Sequence, residues 1–176
     1  MKQIITTALA VLASCLPATA FAQFAANSSA DTILLADNAV SENGVTTLTG
    51  QADIRQGDVR LLADKVVIYS SGGQGGGLVS SQGITRIEAT GNFYYITPEQ
   101  EVRGNKGVYT RDTDNFEVTG DVILLQDDSV VTGRKLNYNL TTREANVAGN
   151  CKGRKCGTGR RVAILIRSTD SAQGIN

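Results

Sequence analysis

The sequence predicts an all-β fold built from a repeated strand unit, and three observations carry that expectation. Glycine recurs in phase: Leu48-Thr49-Gly50, Ala89-Thr90-Gly91, Val118-Thr119-Gly120 and Val147-Ala148-Gly149 mark four equivalent points along the chain. Around the first three, apolar residues recur at period two, as a half-buried strand requires. The intervening positions are mixed, with Asp53 and Arg55 in one unit but Ile123 and Leu125 in another. The 19 glycines stand beside many valines, threonines and isoleucines, a composition that suits strands joined by tight turns. Beyond the N-terminal segment, no long stretch repeats apolar residues at the i, i+3, i+4, i+7 spacing of an amphipathic helix.

Taken in chain order, residues 1–22 read as an export signal rather than as fold. Lys2 supplies the positive start, Ile4 to Leu16 an apolar run, and Ala20-Phe21-Ala22 the small-x-small cleavage pattern before Gln23. The run is shorter than the roughly 20 apolar residues of a membrane span. Leu12-Ala13-Ser14-Cys15 offers a rival, since it resembles a lipobox in which Cys15 would be acylated. Residues 23–31 are expected to be flexible, 32–167 to form the folded domain, and 168–176 to be a disordered tail.

Within the domain, positions −2, +2 and +4 from each glycine hold Leu48, Ala52 and Ile54; Ala89, Phe93 and Tyr95; Val118, Val122 and Leu124. The glycine shares their parity, so it is expected at an inward-facing site that suits a strand bend or a close approach. A second strand in each unit ends at a tyrosine, with Val67 and Tyr69, Tyr109, and Leu136 and Tyr138 on one parity. The glycine-to-tyrosine intervals are 19, 18 and 18 residues, so the phase is kept. Gln56-Gly57-Asp58, Thr97-Pro98-Glu99-Gln100 and Gln126-Asp127-Asp128-Ser129 fit hairpin turns between the two strands. The Gly-Ser stretch from Ser70 to Gly83 accounts for the longer first repeat and reads as a solvated loop. Regular short strands with such breaks suggest an antiparallel sandwich, a jelly roll or a solenoid.

Composition narrows the function. At 176 residues the chain has room for one domain, and 17 basic residues balance 17 acidic ones, so no global field draws it to nucleic acid. Histidine is absent, which removes the commonest general base, metal ligand and triad member. Two carboxylate pairs remain as candidates for glycosidase-like chemistry, and both are better explained as turn formers: Asp127 with Asp128, and Asp112 with Asp114. The expectation is a protein without a catalytic site, cofactor or metal.

One stretch carries a family resemblance. Val118-Thr119-Gly120-Asp121-Val122-Ile123-Leu124-Leu125-Gln126, then Val131-Thr132-Gly133-Arg134-Lys135-Leu136-Asn137-Tyr138-Asn139, then Ala145-Asn146-Val147-Ala148-Gly149-Asn150 resemble the OstA-like domain of the LptA type, and the earlier repeats are looser copies. The resemblance runs from about Thr32 to Ile166. It implies a V-shaped, open-ended antiparallel β-jelly roll in the periplasm whose interior shelters the lipid A acyl chains of lipopolysaccharide. It further implies end-to-end self-association, and partners of the LptC type at the inner membrane and the LptD type at the outer membrane. On that view the lipid-binding residues are Ile54, Val67, Tyr69, Phe93, Tyr95, Tyr109, Val122, Leu124, Leu136 and Tyr138, for each of which plain core packing uses the same alternation.

Near the C-terminus, Cys151 and Cys156 are expected to form a hairpin disulfide in an oxidising compartment, two thiols without histidine being a poor zinc site. The basic residues Lys152, Arg154, Lys155, Arg160 and Arg161 suit either lipid phosphates or an acidic partner, or are only a solvated turn. Val162, Ala163, Ile164, Leu165 and Ile166 form the candidate edge strand for docking a neighbour. The competing function is a β-solenoid that polymerises in the cell envelope without carrying lipid.

Overall fold

A computed structural model describes residues 30–71, 83–142, 144–151, 153, 156 and 161–167. The expected signal at 1–22, most of the Gly-Ser insert, most of the basic segment and the 168–176 tail lie outside the described residues.

Ten strands form one antiparallel sheet: β1 (Thr32–Leu35), β2 (Asn38–Glu42), β3 (Val45–Gln56), β4 (Val59–Ser70), β5 (Ile84–Ile96), β6 (Gln100–Thr110), β7 (Asn115–Gln126), β8 (Ser129–Asn139), β9 (Ala145–Ala148) and β10 (Ala163–Ile166). From β3 to β8 each strand pairs with the next in sequence, through short turns except between β4 and β5, where residues 71–83 intervene. The Gly57-Asp58, Pro98-Glu99 and Asp127-Asp128 turns sit where the polar breaks in the sequence placed them. A single 3-10 turn, Arg111–Thr113, joins β6 to β7.

The six long strands do not run straight. Gly50-Gln51 on β3 oppose a single Asp64 on β4, since Thr49 pairs with Lys65 and Ala52 with Ala63. The same irregularity recurs at Gly91-Asn92 against Asn105 and at Gly120-Asp121 against Arg134. Extra residues bend and twist a strand, and here the bends line up across the sheet as one crease. Glycine is required there. Gly50, Gly91 and Gly120 have φ of 79°, 79° and 108°, and a Cβ on them would overlap the side chains of Asp37, Asp64 and Asn105 respectively. The bend expected from sequence is therefore present. Its glycines do not leave a gap in the apolar interior, however; their bare side abuts an Asx residue, Asp64 and Asn105 on the neighbouring strands for Gly91 and Gly120, and Asp37 between β1 and β2 for Gly50.

The crease divides the sheet into two leaves. One carries β2 and β9 as its outermost strands, the other β1 and β10, because β2 and β1 cover opposite halves of β3 while β9 and β10 cover opposite halves of β8. The leaves fold face to face. Phe116, before the crease on β7, packs its ring 5.7 Å from Phe93 and 5.0 Å from Tyr95, both beyond the crease on β5. The product is the jelly-roll arrangement of an all-β chain, with one core cluster between the leaves.

Gly57 also has a positive φ, 56°, but a Cβ there would meet only Ala30 Cβ at 3.6 Å. Gly57→Ala is thus expected to cost about 1 kcal/mol for the left-handed backbone alone, and Gly91→Ala about 1–3 kcal/mol more for the overlap with Asp64. Urea unfolding midpoints measure the difference, and equal losses would show that the crease does not need its glycine.

Candidate functional site

The apolar face between the leaves is the candidate site. Ile54, Phe93, Tyr95, Tyr109, Val122, Leu124 and Leu136 are all buried there, and Tyr138 packs against them from a partly buried position. Phe93 is wholly enclosed, with its ring against the backbone at Gly107, where a Cβ would overlap it. Ile54, Tyr95 and Leu124 come together in one pairing row, Leu34–Ile54–Leu61–Tyr95–Val102–Leu124–Val131–Ile164, across the inner side of the β1/β10 leaf, and Tyr109 and Tyr138 in a facing row, Ile68–Ile87–Tyr109–Phe116–Tyr138, on the other.

Val67 and Tyr69 do not join them. Val67 pairs with Thr47 and Glu88, and Tyr69 with Arg86, on the outer face. The single extra residue at the crease, Asp64, reverses the alternation along β4, so Leu61 and Ala63 point inward before it and Val66 and Ile68 after it. Odd-numbered strands gain two residues at the crease and keep their parity, which is why β3, β5 and β7 follow the alternation read from sequence. The same reversal operates on β6, where Val102 and then Gly107 and Tyr109 are buried. Val66 and Ile68 are interior residues that alternation read back from Tyr69 missed; Ile87 and Phe116 are interior at the parity of Ala89 and Val118, four residues before their glycines. Asp64 and Asn105, turn-favouring residues in the middle of strands, are the signal that could have found the reversal.

Polar groups are kept to the margins. The outer face of the β2/β9 leaf carries compensated charge: Lys106 Nζ lies 3.0 Å from Glu88, Arg86 2.8 Å from the same carboxylate, and Lys135 2.7 Å from Glu117. Asp53, on the outer face of the other leaf, accepts hydrogen bonds from Arg60 and Arg55 at 2.6–3.2 Å, and these hold its carboxyl far below the usual carboxylate range. No side-chain ion pair therefore intrudes between the leaves among the described residues. Nor do the described residues hold any group of three or more His, Cys, Asp or Glu side chains suited to a metal ion, or any helix long and apolar enough to cross a membrane.

Opposite the crease the leaves meet at a mouth. Leu61 and Tyr95 from one leaf and Ile87, Tyr109 and Phe116 from the other surround a space of about 10 Å³, closed by Leu140 from the turn after β8. That is about the least room one water molecule needs, so this space is nearly filled by the side chains around it. Burial pushes the Tyr109 phenol up to about 12, with its hydrogen bond to Asp114 adding to the effect, and burial raises Tyr95 as well. Both phenols stay neutral at any physiological pH, so the mouth presents no charge to an apolar ligand.

Among the described residues both ends of the sheet are open. β10 (Ala163–Ile166) pairs with β8 on one side only, and Ile164, Leu165 and Ile166 are exposed at 65, 58 and 72%. Val162 precedes the strand rather than belonging to it. At the other end β1 presents Ile33 and Leu35 to solvent. The two cysteines, Cys151 and Cys156, are joined as a disulfide with Cα atoms 5.9 Å apart, in the connection between β9 and β10.

Comparison with known proteins adds a family. Residues 29–144, about two-thirds of the chain, match the family model described as "LptA/(LptD N-terminal domain) LPS transport protein". Among solved structures, the fold is similar to that of LptH from Pseudomonas aeruginosa, described as the LptA-homologous periplasmic component of the conserved lipopolysaccharide transport device. That match has a TM-score of 0.61 at 17% identity and covers 79% of this chain and 96% of the other. No curated protein sequence matches the chain.

The parity reversal on β4 has a direct test. Val66→Thr buries an extra hydroxyl between the leaves and is expected to cost about 1–3 kcal/mol, whereas Val67→Thr, one residue on, should stay within about 0.5 kcal/mol of the parent. Chemical denaturation of the two variants decides it, and the opposite ranking would return Val67 to the interior.

Proposed function

We propose, from the premise that this chain belongs to the LptA/LptD N-terminal family of lipopolysaccharide transport proteins, that it is a periplasmic bridge shielding lipid A acyl chains on their way from the inner to the outer membrane. The observation that carries this reading is the inner face: two leaves of one sheet, predominantly apolar, hinged at a crease and meeting at a mouth through side-chain contacts. Such leaves part without breaking a backbone ladder. Side chains exposed on opening are covered again by hydrocarbon, and each buried methylene contributes roughly 0.8 kcal/mol. Nothing in the interior supplies chemistry, so the role is carriage and not catalysis.

The open ends support the bridging half of the proposal. Unpaired backbone groups on β1 and β10 invite another strand, and both are four residues long and apolar. Strand direction alternates through the sheet, so β10 of one copy meets β1 of the next antiparallel. Extending the pairing rows places Leu165 beside Ile33 on the outer face and Ile164 beside Leu34 on the inner face. Ends of the same kind suit the LptC-type and LptD-type partners.

A second reading, a β-repeat protein that polymerises without lipid, is favoured by one observation, the nearly filled interior. Lipid capture separates the two. The chain without residues 1–22, incubated with lipopolysaccharide, is expected to carry it in native mass spectrometry, and Phe93→Asp or Leu124→Asp to lose it through an unpaired charge on the apolar wall. A chain that assembles yet never retains lipopolysaccharide would leave the second reading standing.

The strand register is tested by mixing Ile33→Cys protein with Leu165→Cys protein under mild oxidation. A cross-linked dimer is expected from this pair, and much less from Leu34→Cys with Leu165→Cys, whose side chains fall on opposite faces. Equal yields from both mixtures would dismiss the register.

A further inference from the structure

The turn after β8 reads Asn139-Leu140-Thr141-Thr142, and its leucine is the one aliphatic side chain in an otherwise polar stretch. Leu140 does not face solvent as a turn residue ordinarily would. It packs against the core and closes the mouth between the leaves, over Tyr95, Tyr109 and Phe116.

What holds it there is Asp114, in the turn between β6 and β7. The Leu140 backbone N–H donates to the Asp114 carbonyl at 2.9 Å, and the Thr141 hydroxyl donates to Asp114 Oδ2 at 2.6 Å. Tyr109, which lines the mouth, donates its phenol to Asp114 Oδ1 at 3.1 Å. Asn139 Nδ2 adds a bond to the Thr113 carbonyl at 3.1 Å. One carboxylate thus ties the plug-bearing turn to a tyrosine in the wall. Asp114 holds a φ of 47°, a left-handed conformation that Asn and Asp adopt more readily than other non-glycine residues. A glycine would relieve that backbone strain, but aspartate is what supplies the two side-chain acceptors.

We propose that Leu140 is the plug of the apolar interior and Asp114 its latch, the pair that sets how readily a hydrocarbon chain enters. The inference rests on the reading of the interior as an acyl-chain site and deepens it by naming the residues that control access. The bonds to Asp114 exist in the closed mouth, and each one present only in that state biases the protein towards it. A ligand that needs the mouth open then binds more weakly by the fraction of molecules that are open. Asp114 is accordingly a positioning residue, acting on the ligand through Leu140.

The test uses the chain without residues 1–22, with its disulfide intact, and cis-parinaric acid, a single-chain fatty acid whose fluorescence rises in apolar surroundings. Asp114→Gly keeps the backbone conformation and deletes both side-chain acceptors; it is expected to bind the probe about tenfold more tightly and to take it up faster. Thr141→Val removes one bond at a side chain that does not line the mouth, and about a threefold gain is expected. Adding Thr141→Val to Asp114→Gly should gain nothing further, because both act through one carboxylate. Leu140→Ala, without the plug, should match or exceed Asp114→Gly, and Asp114→Asn, which keeps an acceptor, should fall back towards the parent.

Thermal unfolding of each variant separates the latch from general loosening: Thr141→Val is expected to melt close to the parent while still binding better. Unchanged probe affinity in Asp114→Gly, Thr141→Val and Leu140→Ala, with binding abolished by Leu124→Asp, would overturn the latch and leave the acyl-chain site intact. Absence of probe binding in the parent and in Leu140→Ala alike would overturn the acyl-chain reading itself.

Discussion

The structure depends on a mismatch in strand length at the crease. Two residues on each odd-numbered strand face one residue on the even-numbered strand beside it, and this happens at the same height across β3 to β8. An antiparallel sheet of this width without bulges would twist but would not fold onto itself, and its apolar side would remain in water. Aligned bulges concentrate the bending on one line. The sheet then covers its own inner face, and a chain of modest size obtains a continuous core without helices or a second sheet.

That geometry explains which residues were legible in the sequence. On odd strands the two inserted residues preserve alternation, so Ile54, Phe93, Tyr95, Val122 and Leu124 are inside as period two requires. On even strands the single insertion reverses it, and on β4 the glycine-to-tyrosine interval of 19 instead of 18 leaves Tyr69 and Val67 one residue out of phase, so that Ile68 and Val66 are the buried pair. Tyr109 and Tyr138, each 18 residues after its glycine, lie in the inner row Ile68–Ile87–Tyr109–Phe116–Tyr138, and Leu136 shares their parity. The signal for the reversal was present in Asp64 and Asn105, yet in one sequence a mid-strand Asx looks like an ordinary polar residue on the wet face. The repeated glycines marked the height of the crease; which neighbour their missing side chains made room for was settled only by pairing. Leu140 escaped for a different reason, since an apolar residue in a polar turn has no period to belong to.

The outer faces of the two leaves are unlike. Thr49, Lys65, Thr90, Lys106, Thr119 and Lys135 form one cross-strand row on the β2/β9 leaf, with Glu88 and Glu117 in the next row neutralising two of the lysines. Exposed pairs of this kind add little stability, typically below about 1 kcal/mol each. Their effect is on specificity: a charged outer row cannot be exchanged with the apolar inner one, so a one-residue slip in register is strongly opposed. The β1/β10 leaf uses Asp53 between Arg55 and Arg60 for the same purpose, beside aliphatic residues such as Ile123 and Leu125. The register of the inner face is therefore guarded from outside.

On the proposed carrier and bridge function, register and carriage make opposite demands on the same sheet, and the crease reconciles them. A carrier interior must open and close with little resistance, whereas a bridge must keep its rows aligned from one copy to the next. Parting the leaves at the mouth would separate side-chain contacts between them, while the ladder bonds that define register, and the bonds from the Leu140 turn to Asp114, run within a leaf. Had the core been closed by strand pairing around a full barrel, opening it would have cost ladder bonds; had it been an unbent sheet, there would have been no interior to open. The soft contacts lie between the leaves and the stiff ones within them, so an acyl chain passing along the inner face disturbs neither the strand order nor the edges at which the next copy would join.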